Sequence, residues 1–436
     1  MEALATRRFP SLSRRRFRRI WAPSGDDRLR LARLHAFRQL PFNGEYRDGL
    51  RETPPGRDAG GRPGRDLFAG LQPPKSVNVS MGKTMLAAVL HGIKDLRVEQ
   101  RPLPEVAPGH VLLRIRRAGI CGTDVHYFEE GRAGNFAMSA PFTLGHEIMG
   151  EVVSLGPGVK HPMLGQRVVV NPAHQCGQCH YCRSGRGNLC RSIVMLGSAS
   201  TTPPTHGAFS EFLLISTEQC YAITDKLDDA IAALMEPFAV ALHALHRAGS
   251  VSGKAVLVTG GGPIGLLTLI AARAYGAVTV VLSDPLLERR QMAVSVGADH
   301  ALDPTLNTFA ADASSLTPDG FDVLFEASGA PAALKHGLGT VRKGGTVVQI
   351  GVFSVPEVAL PLNQMLVREI QFHGSFRYGD VWEEAIALAT SGRVNLAPLV
   401  SRVFPLEQAV SAMELACART GVVKVQLDFL QTPPQT

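Results

Sequence analysis

Four apolar residues and a threonine, the strand-forming run Ala255 to Thr259, lead straight into Gly260-Gly261-Gly262-Pro263-Ile264-Gly265, and GLLTLIAARAYG then has the length and spacing of a helix. A second strand-like run, TVVLSD, closes on Asp284. A glycine-rich turn alone constrains little. Set between a strand and a helix, with an acid ending the next strand, it specifies a βαβ unit that takes a dinucleotide. Gly260 permits the tight turn, Gly262 lets the backbone approach the pyrophosphate, and Gly265 lets the helix pack on the sheet. Pro263 and Ile264 complete the turn, and the helix N-terminus offers free N–H groups to the phosphates. Asp284 would accept hydrogen bonds from the adenosine ribose and repel a 2′-phosphate, which favours NAD over NADP. Arg289, five residues on, either flanks the adenine or accommodates a phosphate. VLFEAS and TVVQIG repeat the apolar β-pattern between amphipathic stretches, so the sheet is parallel. Three glycines and Arg273 interrupt the apolar run 255–282, so it is not a membrane span.

The second informative stretch is GICGTDVHYFEEGRAGNFAMSAPFTLGHE, residues 119–147. Cys121, His146 and Glu147 supply a thiolate, an imidazole and a carboxylate. A chemically active zinc site needs three such ligands and one open position. Zinc there would lower the pKa of an alcohol so that hydride can pass to a nicotinamide. Thr123 places a hydroxyl beside the open position and can relay the proton towards His126. Glu236, in MEPFAV, either touches the metal or its water or sits as a carboxylate at a helix N-terminus. His243 and His246, at helical spacing, read as structural. Further on, CGQCHYCRSGRGNLC holds Cys176, Cys179, Cys182 and Cys190. Four thiolates this close can close a tetrahedron as a structural zinc site; a disulfide pair and an iron–sulfur cluster are the alternatives. Cys220 and Cys417 read as buried small hydrophobes.

From Lys83 to about Ile215 short strands punctuated by Pro and Gly point to an antiparallel, barrel-like domain. VSRVFPLEQA and GVVKVQLDF, near the end, return to it. The organisation is therefore 1–80, a basic extension; 81–237, a catalytic domain; 238–372, the dinucleotide domain; and 373–436, the return to the first. The net charge of +7 is concentrated in the extension. Residues 1–80 hold 17 Lys+Arg against 8 Asp+Glu, whereas 81–436 hold 28 against 30. A nearly neutral body carries no footprint for nucleic acid. The extension is rich in Arg, Pro and Gly and is expected to be disordered. Its eight acids argue against a transit peptide, and it lacks an apolar h-region. A basic arm for nucleic acid or membrane is the functional reading of it. A dispensable extension, with Met81 as the natural start, is the plainer one.

Taken together, GHE at 145–147, the four-cysteine lobe, MEP at 235–237 and TGGGPIG at 259–265 resemble the zinc-containing, medium-chain alcohol and polyol dehydrogenases over the whole of 81–430. Within that family YFEEGRAGNFAMSAPFTLGHE, MLGSAS, GSFRY and CARTGVVKVQL resemble the L-idonate 5-dehydrogenases, with sorbitol and xylitol dehydrogenases as near relatives. The resemblance implies an α/β architecture, a GroES-like β-barrel catalytic domain plus a doubly wound Rossmann domain with a parallel sheet. It implies catalytic and structural zinc and NAD, with NADP second. It also implies a sugar-acid or polyol substrate, oxidation of L-idonate at C5 to 5-keto-D-gluconate, and a homotetramer, with a homodimer as the alternative. Glu236 then matches the acid beside the zinc water, Tyr127 an aromatic lining the substrate pocket, and Arg377 an arginine near the bound polyol. A salt bridge within the fold is the competing use for Arg377. A xylitol- or sorbitol-type dehydrogenase is the alternative within the class. A nucleic-acid-binding protein with an inactive enzyme body and a zinc-free quinone reductase are the alternatives outside it. Neither nucleic acid nor membrane is expected as a partner, and the expected location is cytoplasmic.

Overall fold

The computed structural model describes residues 83–430, so the disorder expected of 1–80 lies outside the described residues. Two sheet systems organise the chain. In the first, His110–Gly119 lies between Glu147–Leu155 and Lys424–Asp428, and Arg167–Val170 and Val400–Pro405 extend the sheet outward. Cys220–Ala222 pairs with Arg167–Val170, and Phe212–Ser216 also pairs with His110–Gly119, which gives seven strands. A three-stranded sheet of Thr84–Gly92, Asp95–Pro102 and Phe142–Thr143 sits alongside. The inward residues Leu113, Ile115, Val152, Val168, Val170 and Leu427 share one core with Phe128, Phe142 and Phe209. This is the GroES-like half.

The second sheet has six parallel strands. From one edge they run His300–Leu302, Thr279–Ser283, Ala255–Thr259, Phe321–Glu326, Val341–Gln349 and Gln371–Gly374. In chain order this is 3-2-1-4-5-6, the doubly wound dinucleotide-binding arrangement. Alternation along the strands shows why both faces are apolar. Val256, Val258, Val280, Leu282, Val323 and Phe325 pack on one side against the helices Met235–Ala248 and Pro263–Ala274. Leu257, Val281, Leu324 and Val347 pack on the other with Phe309, Leu334 and Leu338. A strand buried on both faces has no polar side, hence the continuous apolar runs in the sequence. The parallel sheet extends to Gly374, and the helix Trp382–Thr390 still packs on its core. The first sheet regains the chain only at Val400. Among the described residues no helix is long and apolar enough to cross a membrane.

Candidate active site and metal centres

Cys121 stands at the N-cap of the helix Gly122–Glu130, extended at φ −90°, ψ 157°. Its backbone N–H donates to Asp124 Oδ2 at 2.9 Å, which closes the first turn. The other oxygen of Asp124 accepts from Gly145 N at 3.1 Å, so one fully buried carboxylate ties the cysteine turn to the loop carrying His146. His146 Nδ1 lies 3.8 Å from Asp124 Oδ1. Burial works to lower the imidazole's pKa, but Asp124, the Cys121 sulfur and Glu236 together hold it well above its ordinary value. Thr123 Oγ1 is 3.7 Å from Cys121 Sγ.

Glu147 opens the strand Glu147–Leu155 opposite Gly119. Both of its oxygens accept from Lys424 Nζ, at 2.7 and 2.6 Å, and Lys424 also donates to Ile120 O at 3.0 Å. Glu236 sits buried in the first turn of Met235–Ala248. Burial raises its carboxyl to about 7, with Glu147 adding to the rise and His146 and Lys424 opposing it. Its hydrogen-bond partner is Tyr378, whose own pKa burial and the Glu236 charge push well up. Beside it, Arg377 adopts a left-handed φ of 55°, and its guanidinium lies 4.9 Å from the Phe376 ring. Burial lowers the Arg377 pKa, and its Nη1 is buried without a hydrogen-bond partner.

Cys121, Thr123, His146, Glu147, Glu236 and Arg377 are thus brought into one electrostatically connected cluster. Two expected members stand apart from it. Tyr127 is fully buried; its ring packs edge-on to Phe142 at 5.2 Å, and its hydroxyl accepts from Ala199 N at 2.9 Å. His126 is half exposed and pairs with Glu130 at 3.1 Å, one turn along its helix. Three residues escaped the sequence reading: Asp124, Tyr378 and Lys424. Asp124 was readable from its position three residues after an N-cap cysteine, where a carboxylate completes a capping box. Lys424 and Tyr378 gave no such signal, because both lie far along the chain from the ligand motif.

The donor set suits zinc: a thiol, an imidazole with an unpartnered buried Nδ1, and two carboxylates. Among the described residues these groups are not drawn to mutual ligand distance. The four-cysteine lobe is: the sulfurs of Cys176, Cys179, Cys182 and Cys190 all lie within 4.8 Å of one another. The Cys176–Cys182 and Cys179–Cys182 sulfur separations of 4.0 and 3.5 Å bracket the roughly 3.8 Å edge of a tetrahedron with Zn–S of about 2.3 Å. Hydrogen bonds from the Cys182 and Arg191 backbone bring the Cys179 thiol down to about 6. Desolvation and its sulfur neighbours push Cys182 up to about 12. Four thiols so close shed their protons together only around a cation, and all are free cysteines. Cys220 and Cys417, read as buried small hydrophobes, are part-buried and pack against the core of the GroES-like half.

In the dinucleotide loop, Gly260 has φ +95° and a Cβ there would strike the Ser328 backbone. At Gly265 a Cβ would collide with the carbonyl oxygen of Gly260, which explains the close approach of helix to strand. At Gly262, the N-cap before Pro263 and Ile264, no heavy atom lies within 4 Å of the Cβ position. That open space is where a phosphate can meet the backbone. Asp284 is buried and holds the loop: its Oδ2 accepts from Gly261 N at 2.8 Å and its Oδ1 from Leu286 N at 2.9 Å. Arg289 places Nη1 3.6 Å from Asp284 Oδ2 and donates through Nη2 to Arg419 O at 2.8 Å. His246 pairs with Glu384 at 3.1 Å, while burial lowers His243 to about 4.

Two family models match the chain: the alcohol dehydrogenase GroES-like domain over residues 107–225 and the zinc-binding dehydrogenase over 263–391. The sorbitol dehydrogenase of Bacillus subtilis (strain 168) is 36% identical over 335 residues, covering 77% of this chain and 94% of its own. Among solved structures, L-idonate 5-dehydrogenase from Escherichia coli is 34% identical with a TM-score of 0.75, covering 79% of this chain and 98% of its own. A Sinorhizobium meliloti 1021 structure bound to NADP is 33% identical with a TM-score of 0.74, covering 80% and 100%.

Proposed function

The chain belongs to the zinc-binding alcohol dehydrogenase family, and from that premise we propose that it oxidises a secondary alcohol of a sugar acid, L-idonate at C5, to 5-keto-D-gluconate. The coarser activity, a zinc polyol-type dehydrogenase using NAD or NADP, rests on the family match and the sorbitol dehydrogenase relatives. The finer reading is carried by Arg377. A buried guanidinium with an unpartnered Nη1, beside the acid cluster, offers a sugar acid's carboxylate a charge-assisted partner. The E. coli L-idonate 5-dehydrogenase neighbour agrees with it. A polyol such as sorbitol or xylitol is the second reading, favoured by sorbitol dehydrogenase relatives at 36–40% identity.

Cys121 and His146, with Glu147 or Glu236, would hold the catalytic zinc, and the four cysteines the structural one. Bound zinc supplies Lewis acidity to the substrate hydroxyl, and bound nicotinamide supplies the hydride acceptor. Thr123 Oγ1, beside Cys121, would receive the hydroxyl proton as it gives up its own, and His126, half exposed and apart from the cluster, would be the outlet to solvent. Tyr127 supports the pocket wall from behind through Ala199. Gly260, Gly262, Pro263, Ile264 and Gly265 cradle the pyrophosphate. Asp284 would favour NAD, because its carboxylate, held in the loop by Gly261 N and Leu286 N, carries a negative charge that would repel a 2′-phosphate. We also read the protein as cytoplasmic and a homo-oligomer, a tetramer or a dimer. Among the described residues the strand Gln371–Gly374 is at the edge of its sheet, and it follows closely in the chain on exposed Leu362, Leu366 and Val367, features of the kind that subunit contacts cover.

The test is a panel of L-idonate, D-gluconate, sorbitol, xylitol and L-threonine with NAD and with NADP. L-Idonate with NAD is expected to have the highest kcat/KM, and Arg377→Leu to lower it for the acid but not for sorbitol. A higher kcat/KM for sorbitol than for L-idonate sinks the sugar-acid assignment.

A further inference from the structure

We propose that Lys424 is a positioning residue for the catalytic metal, holding the Glu147 carboxylate from behind while leaving it able to ligate; this rests on the zinc-dehydrogenase reading above. The ammonium is 2% exposed as a side chain and its partner 1%. All three of its N–H groups are used within 3.0 Å, two on the Glu147 oxygens and one on the Ile120 carbonyl. Nothing else about this lysine calls for burial. A buried ammonium is tolerated only where a fixed partner offsets its desolvation.

The geometry explains why the partner is this carboxylate. Glu147 and Lys424 enter from the strands flanking His110–Gly119, whose last residue, Gly119, pairs with Glu147 on one side and with Gln426 on the other. Ile120, which accepts the third N–H, immediately precedes Cys121. One cation therefore ties the Glu147 strand, the turn that carries Cys121 and the C-terminal strand together beside the candidate ligands. A carboxylate has about four lone-pair sites, and a single ammonium bridging both oxygens uses two. The other two remain for a metal. Such an arrangement fixes the carboxylate's orientation and balances the negative charge of thiolate plus carboxylate. Removal of an outer partner of this kind typically costs about 10- to 100-fold in metal affinity.

The test is Lys424→Met, which keeps the length and removes the charge, with Lys424→Arg as the charge-retaining variant should the first fail to fold. Zinc content, zinc affinity by chelator competition and the visible absorption of the cobalt(II)-loaded enzyme are read on the full chain. The expected result is a 10- to 100-fold weaker catalytic-site zinc and a shifted cobalt band. The four-cysteine zinc is retained, and Lys424→Arg recovers part of the loss. Two zinc ions bound as in the parent, with an unchanged cobalt band and only lower thermal stability, would overturn the proposal and leave the lysine a structural ion pair. A parent protein holding zinc solely in the cysteine lobe would overturn the functional reading itself, and the role of Lys424 with it.

Discussion

Replacing Gly262 and Gly265 by alanine separates space that a ligand needs from space that the fold needs. At Gly265 the new Cβ falls well inside 3.0 Å of the Gly260 carbonyl oxygen. The helix Pro263–Ala274 cannot slide away, because Leu266, Leu267, Leu269 and Ile270 are locked into the core on its inner face. Overpacking against an immobile element costs roughly 1–3 kcal/mol. Gly265→Ala is therefore expected to lose stability and cofactor affinity together. At Gly262 the Cβ meets nothing within 4 Å, and the backbone is extended at φ −76°. Its stability cost is confined to the poorer N-cap, about 1 kcal/mol at most. The methyl occupies the space through which the backbone would approach a pyrophosphate. A hydrogen bond to a charged group is worth about 1.5–3 kcal/mol, so NAD binding should weaken about 10- to 100-fold. Denaturant unfolding of each variant, paired with NAD titration by calorimetry, reads both quantities. Gly262→Ala binding NAD as tightly as the parent would refute the assignment of this loop to the pyrophosphate.

Cys121→Ser should abolish turnover and lower bound zinc from about two ions per chain to about one, by atomic absorption; two ions and near-parental rate would exclude this ligand. Asp284→Asn removes the negative charge and gives up one of the two loop hydrogen bonds, since an amide has a single acceptor oxygen where the carboxylate uses both; the NADP-to-NAD ratio of kcat/KM should rise about tenfold, one 1.4 kcal/mol step. An unmoved ratio would strip Asp284 of its selective role. Burial holds His243 at about 4, below the ordinary 6.5. It is therefore neutral in the fold, and its stabilising effect is intact above 6.5 and lost as pH falls from 6.5 towards 4. His243→Gln should flatten the acid limb of a stability-against-pH curve, and an unaltered limb would place that loss elsewhere.

Local chemistry made much of this protein legible in its sequence. A strand, a glycine-rich turn and a helix, with an acid ending the next strand, read as a βαβ turn, because Gly260 and Gly265 answer steric demands of their neighbours. C-x2-C-x2-C-x7-C brings four sulfurs together whatever surrounds it, since the loop closes on itself. Glu147 was readable as a metal-ligand type for the same reason, lying next to His146. Tertiary structure alone decided who stands behind each group. Lys424 reaches Glu147 across 277 residues, and Tyr378 and Arg377, which follow the last parallel strand in the chain, interact with Glu236 ahead of the first. The same packing turned the Tyr127 hydroxyl to the Ala199 backbone, which no spacing in its own helix foretells. Spacing along a chain reports only groups that share a turn or a strand. Charge pairing in a buried site depends on which strands lie side by side, and that is settled only when the sheets assemble.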